Sequence, residues 1–404
     1  MEQKAERLER AESKLPFELA KRSHALRKGV TGDFGHLVTY PNFFTKFASE
    51  IPISELLARS YVIIDKPAGP TSHQVSAYVK DIVGAEITGH TGTLDPNVTG
   101  VLPVALSRST KMIMGLINAG KEYVCYMFVH KALDEAQIRS VCQSFVGQIT
   151  QLPPVKSAVK REERQRSIYY LNILEIDGQH VLFKVGCEAG TYIRKLCTDI
   201  GDKLGCGAHM QQLVRTKAGP FSTQHMVTLQ DFQDAFIAYS QNGDETRLRS
   251  MLVPVEQSLS HLRKVFVFDT AAVRLVHGAT LLVPGVLMCD QYISQKETVV
   301  VYDIHGKLVG IGEAQMDGGS ILSESKGVCV VMKRIFATLS DYGIVQEPKV
   351  KSDAVEKPVR KFEKSSSDKH KSPLKGFAAY RQKAQRYKSK PRGNSRSRPR
   401  SKVN

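Results

Sequence analysis

The 404-residue sequence contains no tryptophan and only seven cysteines, an odd number with no CxxC pair among them. That scarcity excludes a disulfide framework and a zinc ribbon, and it points to core thiols in a reducing compartment. Long apolar runs are also missing. The N-terminal stretch MEQKAERLERAESK is charged throughout, so neither a secretory signal nor a membrane span is expected. No internal repeat is visible. Two glycine segments fall short of a dinucleotide fingerprint: GIGEAQ from Gly310 lacks the third glycine, and GCGAH from Gly205 follows a predicted helix instead of opening one.

The body of the chain also has little net charge. The whole carries +17, but from Pro348 onward there are 19 Lys and Arg against 4 Asp and Glu, a net of +15 that leaves +2 for the first 347 residues. This tail, ending KSKPRGNSRSRPRSKVN, has almost no large aliphatic residues to offset its ordering entropy, and it is expected to be disordered. Such a composition serves either as a solubilising tail or as a salt-sensitive RNA-binding arm. With 42% hydrophobic residues the remainder has ample core material, and the length predicts more than one domain.

Residues 1–57 read as a charged extension without a core pattern. YVIID (Tyr61–Asp65) reads as a strand and KPAGP as a turn. Thr71 or Ser72 then caps a helix with Val75, Tyr78, Val79 and Ile82 on one face, stopped by Gly84. VLPVAL and a helix over 110–118 follow. Glu122–Val129 is apolar on both faces, which predicts a central strand. A helix over 134–145 leads to a Pro-Pro turn and a basic stretch. Strand Val181–Cys187 feeds TYIRKLCTDIGDKLG, where Thr191 is the predicted N-cap and Ile193, Leu196, Cys197, Ile200 and Leu204 the buried stripe. From about Leu262, short strands at close spacing predict a small β-barrel of about 75 residues.

Two residues pose a question of chemistry. GHTGTLDPNVTG (Gly89–Gly100) places a lone carboxylate, Asp95, on a loop with three glycines and a proline. A tight turn accounts for that composition by itself. Arg194 falls in the first turn of its predicted helix, where the dipole disfavours a cation. It either snorkels to solvent or meets a carboxylate. Asp95 is a carboxylate without another role, and an arginine beside it would hold it ionised for work as a nucleophile or base. A buried Asp95–Arg194 ion pair is therefore expected. Tyr123 and Tyr192 read either as core aromatics or as platforms for a nucleobase. His90 has no second His or Cys at ligand spacing, so neither a metal nor an organic cofactor is expected.

The run GHTGTLDPNVTGVLPVAL, with GKEYV and CEAGTYIRKLCTDIGDKLGCGAH, resembles the pseudouridine synthase family that contains the bacterial tRNA enzyme of the TΨC arm and eukaryotic dyskerin. DKPAGPTSHQV, PPVKSAVK and HGATLLVPGV fit in the same order, over roughly residues 60–338. Two details resemble the dyskerin branch and its archaeal relatives. The segment from Tyr123 to Cys187 is short for the bacterial RNA-gripping insertion, and GAHMQQLVRTKAGPF has an archaeal cast.

The resemblance implies an α+β chain: a mixed, mainly antiparallel sheet with flanking helices over 58–261, a PUA β-barrel over 262–338, the extension at 1–57 and the basic tail at 348–404. It implies Asp95 as the catalytic carboxylate, Arg194 as its partner and Tyr123 as the ring beneath the base. It also implies Tyr192 and Leu213 as pocket walls, and His90 as the residue that displaces the target base. Gly278, Pro284 and Gly285 would contact RNA from the barrel. Val214 stands where relatives commonly carry a second arginine, and the tryptophan-containing segment usual beyond Phe336 is missing.

Three activities follow. The first is isomerisation of uridine in ribosomal RNA within a box H/ACA guide-RNA particle, with small ribonucleoprotein subunits as partners. The second is the same chemistry performed alone on the TΨC-loop uridine of tRNA. The third is a non-catalytic RNA scaffold, which the joint presence of Asp95, Tyr123 and Arg194 disfavours. The archaeal cast implies a cytoplasmic location; a eukaryotic source would imply the nucleolus.

Overall fold

The computed structural model describes residues 51–153, 160 and 162–344. The basic tail, most of the N-terminal extension and part of the basic stretch after Pro153 lie outside the described residues. Helix α1 (Ile53–Ala58) leads into β1 (Ser60–Lys66), α2 (Ser72–Val83), β2 (Thr88–His90) and β3 (Thr99–Leu106). A short helix α3 (Met114–Ile117) precedes β4 (Lys121–Val129), α4 (Glu135–Gln143), β5 (Gly147–Gln151), β6 (Arg164–Asp177) and β7 (His180–Cys187). Next come α5 (Ile193–Lys203), β8 (Ala208–Ala218), β9 (Phe221–Ser222), α6 (Leu229–Asn242), α7 (Thr246–Met251), β10 (Leu252–Pro254) and α8 (Val255–Ser258).

These strands build one sheet in the order β10-β1-β3-β8-β4-β7-β6-β5, with β2 on β3 and β9 on β8. Its strand pairs are antiparallel except β3 with β8, which run parallel through Thr99–Val214 and Gly100–Arg215. The expected central strand is central: β4 lies between β8 and β7, with Cys125, Met127 and Val129 buried beneath α4 and α5. The helix expected after the Gly-Pro turn forms as α2, its Thr71–Gln74 capping box opening it and left-handed Gly84 closing it.

Two local expectations need correction. Residues 110–118 do not make one helix. Ser107–Met112 is a 3-10 segment, and the α-helix is only α3. Thr110 Oγ1 donates to the Ser107 carbonyl at 2.6 Å, a local bond that competes with helix propagation. Helix α5 is capped at Tyr192, not Thr191, whose hydroxyl turns back to the Glu188 carbonyl at 2.8 Å. Arg194 is consequently the second residue of the helix, still within its first turn.

The second sheet comprises β11 (Arg263–Val267), β12 (Leu281–Leu282), β13 (Val286–Cys289), β14 (Thr298–Asp303), β15 (Leu308–Ala314) and β16 (Val328–Ile335). Helices α9 (Asp269–Val276) and α10 (Gly318–Ser323) interrupt it. Its order is β12-β16-β15-β14-β11-β13, a nearly closed barrel. One apolar cluster joins the two sheets: Tyr61, Ile63, Val101 and Ala105 pack in it with Phe266, Tyr302, Ile311 and Phe336. At the same junction Arg59 forms an ion pair with the fully buried Glu256. Arg59 and Arg108 lie over the Phe336 ring at 5.4 and 4.9 Å. All seven cysteines are free thiols, six of them buried.

Candidate active site

The Asp95 loop is held from beneath by the segment that follows β1. Lys66, 0% exposed, donates its Nζ to the carbonyls of Pro67, Pro96 and Val98, each at 2.9 Å. Gly69 N–H also donates to the Pro96 carbonyl at 2.9 Å. The Ser72 hydroxyl donates to the Leu94 carbonyl and accepts from the Leu94 N–H, at 3.2 and 2.8 Å. The residues on both sides of Asp95 are thus fixed while its side chain stays free to point outward. Burial, then the nearby Arg215, push the Lys66 ammonium below its ordinary pKa.

Opposite this loop stands the start of α5. Gln151, buried, reads both backbone groups of Tyr192: its amide donates to the carbonyl at 3.2 Å and its oxygen accepts from the N–H at 3.0 Å. This clamp aims the first turn of α5, and Arg194 forms an ion pair with Asp95. The pair forms, but it is not buried. It sits at the mouth of the pocket because both residues arise from loop-facing positions and not from the sheet.

Between the two lies a cavity of about 630 Å³, lined among others by Asp95, Tyr123, Tyr192, Arg194, Leu213 and Arg215. Five of the residues expected at the site therefore converge. Burial raises the Tyr123 hydroxyl above its ordinary pKa, against the opposing effect of Arg215. His90 is not among the lining residues. It packs edge-on against His73, ring centroids 4.7 Å apart, and neither of its ring nitrogens has a hydrogen-bond partner on another described residue. Burial, then His73 and Arg215, lower its pKa and favour a neutral ring.

The glycines of the loop divide by cause. A Cβ on Gly100, at φ +100°, would come within 2.3 Å of the Arg215 carbonyl, so the β3–β8 contact requires glycine there. Gly92, at φ +155°, holds a backbone conformation that favours glycine, although a Cβ there would meet only ordinary contacts, the nearest at 3.5 Å. Its absence leaves the backbone open toward the cavity.

Sequence reasoning missed Lys66, Ser72, Gln151, Lys121 and Arg215. Lys66 stood inside the motif DKPAGPTSHQV without an assigned part, and Ser72 was read there only as an alternative helix cap. Arg215 follows Val214 on a strand with no apolar alternation. In the barrel, exposed Gly278 follows α9 at φ +92°, and Pro284 and Gly285 form a 3-10 turn. Gly285 packs so tightly that a Cβ would lie 2.9 Å from Ala271 Cβ. Packing accounts for that glycine without RNA. Among the described residues no cluster of three His, Cys, Asp or Glu side chains is placed to hold a metal, and no helix is long and apolar enough to cross a membrane.

The TruB family pseudouridylate synthase N-terminal domain matches residues 80–193, the tRNA pseudouridylate synthase B C-terminal domain residues 194–260, and the PUA domain residues 263–336. The chain is 46% identical over 299 residues to the probable tRNA pseudouridine synthase B of Methanosarcina barkeri, covering 74% of this chain and 88% of that one. Among solved structures it resembles a chain of a Cbf5-Nop10-Gar1 complex, with TM-score 0.71 and 42% identity, over 73% of this chain and 90% of that one. It also resembles a chain of an H/ACA RNP bound to a substrate RNA containing 2′-deoxyuridine, with TM-score 0.67 and 40% identity, over 72% and 89%. The chain belongs to the TruB family of pseudouridine synthases and is an RNA isomerase.

Proposed function

We propose that this isomerase is the catalytic subunit of a box H/ACA guide-RNA particle, that it converts uridine to pseudouridine in ribosomal RNA, and that it works in the cytoplasm of an archaeal cell. Its small protein partners would correspond to the Nop10 and Gar1 of the solved neighbour. The observation that carries this reading is the likeness to the Cbf5 chain over nine-tenths of that chain's length.

Within the cavity, Asp95 acts on the target nucleoside as an ionised carboxylate, kept so by Arg194. Tyr123 lies beneath the base, Tyr192 and Leu213 flank it, and His90 acts outside the cavity as the flipped base leaves its stack. The barrel meets RNA through the exposed turn at Gly278 and Pro284.

The second reading, a stand-alone tRNA enzyme, is supported by the name of the Methanosarcina relative. Purified protein should be given a ribosomal RNA fragment with its guide RNA and the two small subunits, and in parallel a bare tRNA transcript. Guide-dependent pseudouridine in the fragment, mapped by chemical sequencing, is the expected result. Full modification of the tRNA without any guide, with none in the fragment, overturns the guided reading.

A further inference from the structure

The floor of the cavity holds positive charge that no carboxylate among the described residues offsets. Arg215 is 1% exposed and is among the largest fully buried side chains. Its Nε donates to the Val101 carbonyl at 2.7 Å and its Nη2 to the Gly92 carbonyl at 3.2 Å, and it also hydrogen-bonds the Tyr123 hydroxyl. These are three acceptors for five N–H groups, and all three are uncharged. Among the described residues no carboxylate pairs with it. Burying a guanidinium without a counter-charge is unfavourable by several kcal/mol, and neutral donors could satisfy two carbonyls and a phenol.

Two neighbours repeat the pattern. Lys121, 8% exposed, donates its Nζ to the carbonyls of Leu116, Ile117 and Ala119, at 3.3, 2.7 and 2.6 Å, and among the described residues to no carboxylate. Lys66 serves the three carbonyls already described. Arg215 and Lys121 line the cavity beside Tyr123. A cavity with such a floor is built to receive negative charge.

The isomerisation makes such a charge. The C1′–N1 bond breaks and its electron pair stays on the uracil, spread over N1, O2 and O4. After the ring turns, C5 forms the new bond to C1′, the C5 hydrogen leaves as a proton and N1 gains one. No electrons are gained or lost overall. We propose that Arg215 stabilises the uracil anion between these two bond changes, as a fixed cation behind Tyr123 that needs no reorganisation when the charge appears. Lys121 reinforces it. The inference rests on the Asp95 cavity being the reaction site.

The test uses the full protein on RNA carrying either uridine or 5-fluorouridine at the target. Fluorine makes the uracil more acidic and a better leaving group, so it lessens the need for help from the protein. Cleavage of C1′–N1 is followed in single turnover for wild type, Arg215→Gln, Arg215→Lys and Asp95→Asn, with thermal unfolding of each. Arg215→Gln should slow cleavage of uridine by about 100-fold or more, the scale of losing one pre-organised donor, and of 5-fluorouridine at least tenfold less. Arg215→Lys keeps a charge in the site and serves where Arg215→Gln fails to fold; its smaller loss should again fall mainly on uridine. Equal losses on both substrates, beside an inactive Asp95→Asn, overturn this inference alone. An active Asp95→Asn overturns the choice of cavity and this inference with it.

Discussion

Arg194 meets Asp95 across the mouth of the cavity with both side chains about half exposed, at 49% and 54%. An ion pair so placed contributes about 0–1 kcal/mol to stability, not the larger sum expected of a buried one. In the proposed reaction its part is to orient the carboxylate. Arg194→Ala should therefore abolish turnover on guided RNA while shifting urea unfolding by no more than about 1 kcal/mol. A loss of several kcal/mol would mean that the pair is a structural element.

Gly100→Ala should behave in the opposite way. The positive φ costs about 1–3 kcal/mol for an alanine, and the 2.3 Å approach to the Arg215 carbonyl adds an overpacking cost of similar size. The obstructing atom is backbone, so no side chain can swing aside. A total of at least about 2 kcal/mol is expected in chemical denaturation, and a cost below about 1 kcal/mol would show that β3 and β8 separate there easily.

His90 supplies a pH test. Its folded pKa lies below the ordinary 6.5, chiefly through burial and then through His73 and Arg215. A depressed value means that the unfolded chain binds the proton more tightly. The associated stability is present above pH 6.5 and is lost as pH falls through the folded value. Thermal unfolding from pH 7.5 to 5 at constant ionic strength should thus fall less steeply in His90→Gln than in wild type. Parallel curves would place the acid sensitivity elsewhere.

The basic tail, outside the described residues, is tested by its charge. Deleting Pro348–Asn404 removes +15 of the +17. The log–log dependence of RNA affinity on salt should flatten by about 0.7–0.9 for every phosphate the tail had neutralised. Pseudouridine positions should stay the same, because target choice rests with the cavity, the barrel and the guide. Coincident slopes would make the tail a solubilising segment, and changed positions would make it a recognition element.

Much of this architecture was legible where a single face is buried. Helices α2 and α5 announced themselves through apolar periodicity, α2 also through its caps, strand β4 through its unbroken apolar run, and the barrel through its strand spacing. Strands β6 and β8 did not. Their side chains alternate between exposed and half-buried with few fully buried positions, so neither YYLNIL nor HMQQLV shows a clean period of two. The Asp95–Arg194 pairing could be argued from one cation in the wrong turn of a helix, but its exposure could not, because burial depends on elements far away in sequence. Arg215 and Lys66 were hidden for a related reason. A buried cation held mainly by backbone carbonyls has no charged partner that sequence can name.

The core shared by the two sheets has a consequence for how damage spreads. Phe266, Tyr302 and Phe336 of the barrel complete the packing beneath Tyr61 and Val101 of the catalytic sheet. The molecule has no seam there at which one half could melt and spare the other. A substitution deep in the barrel, remote from Asp95, would reach the reaction through the quantity of folded enzyme and leave the rate constant of each surviving molecule alone. Such a defect would be invisible to kinetics normalised per active site and plain in a measurement of abundance.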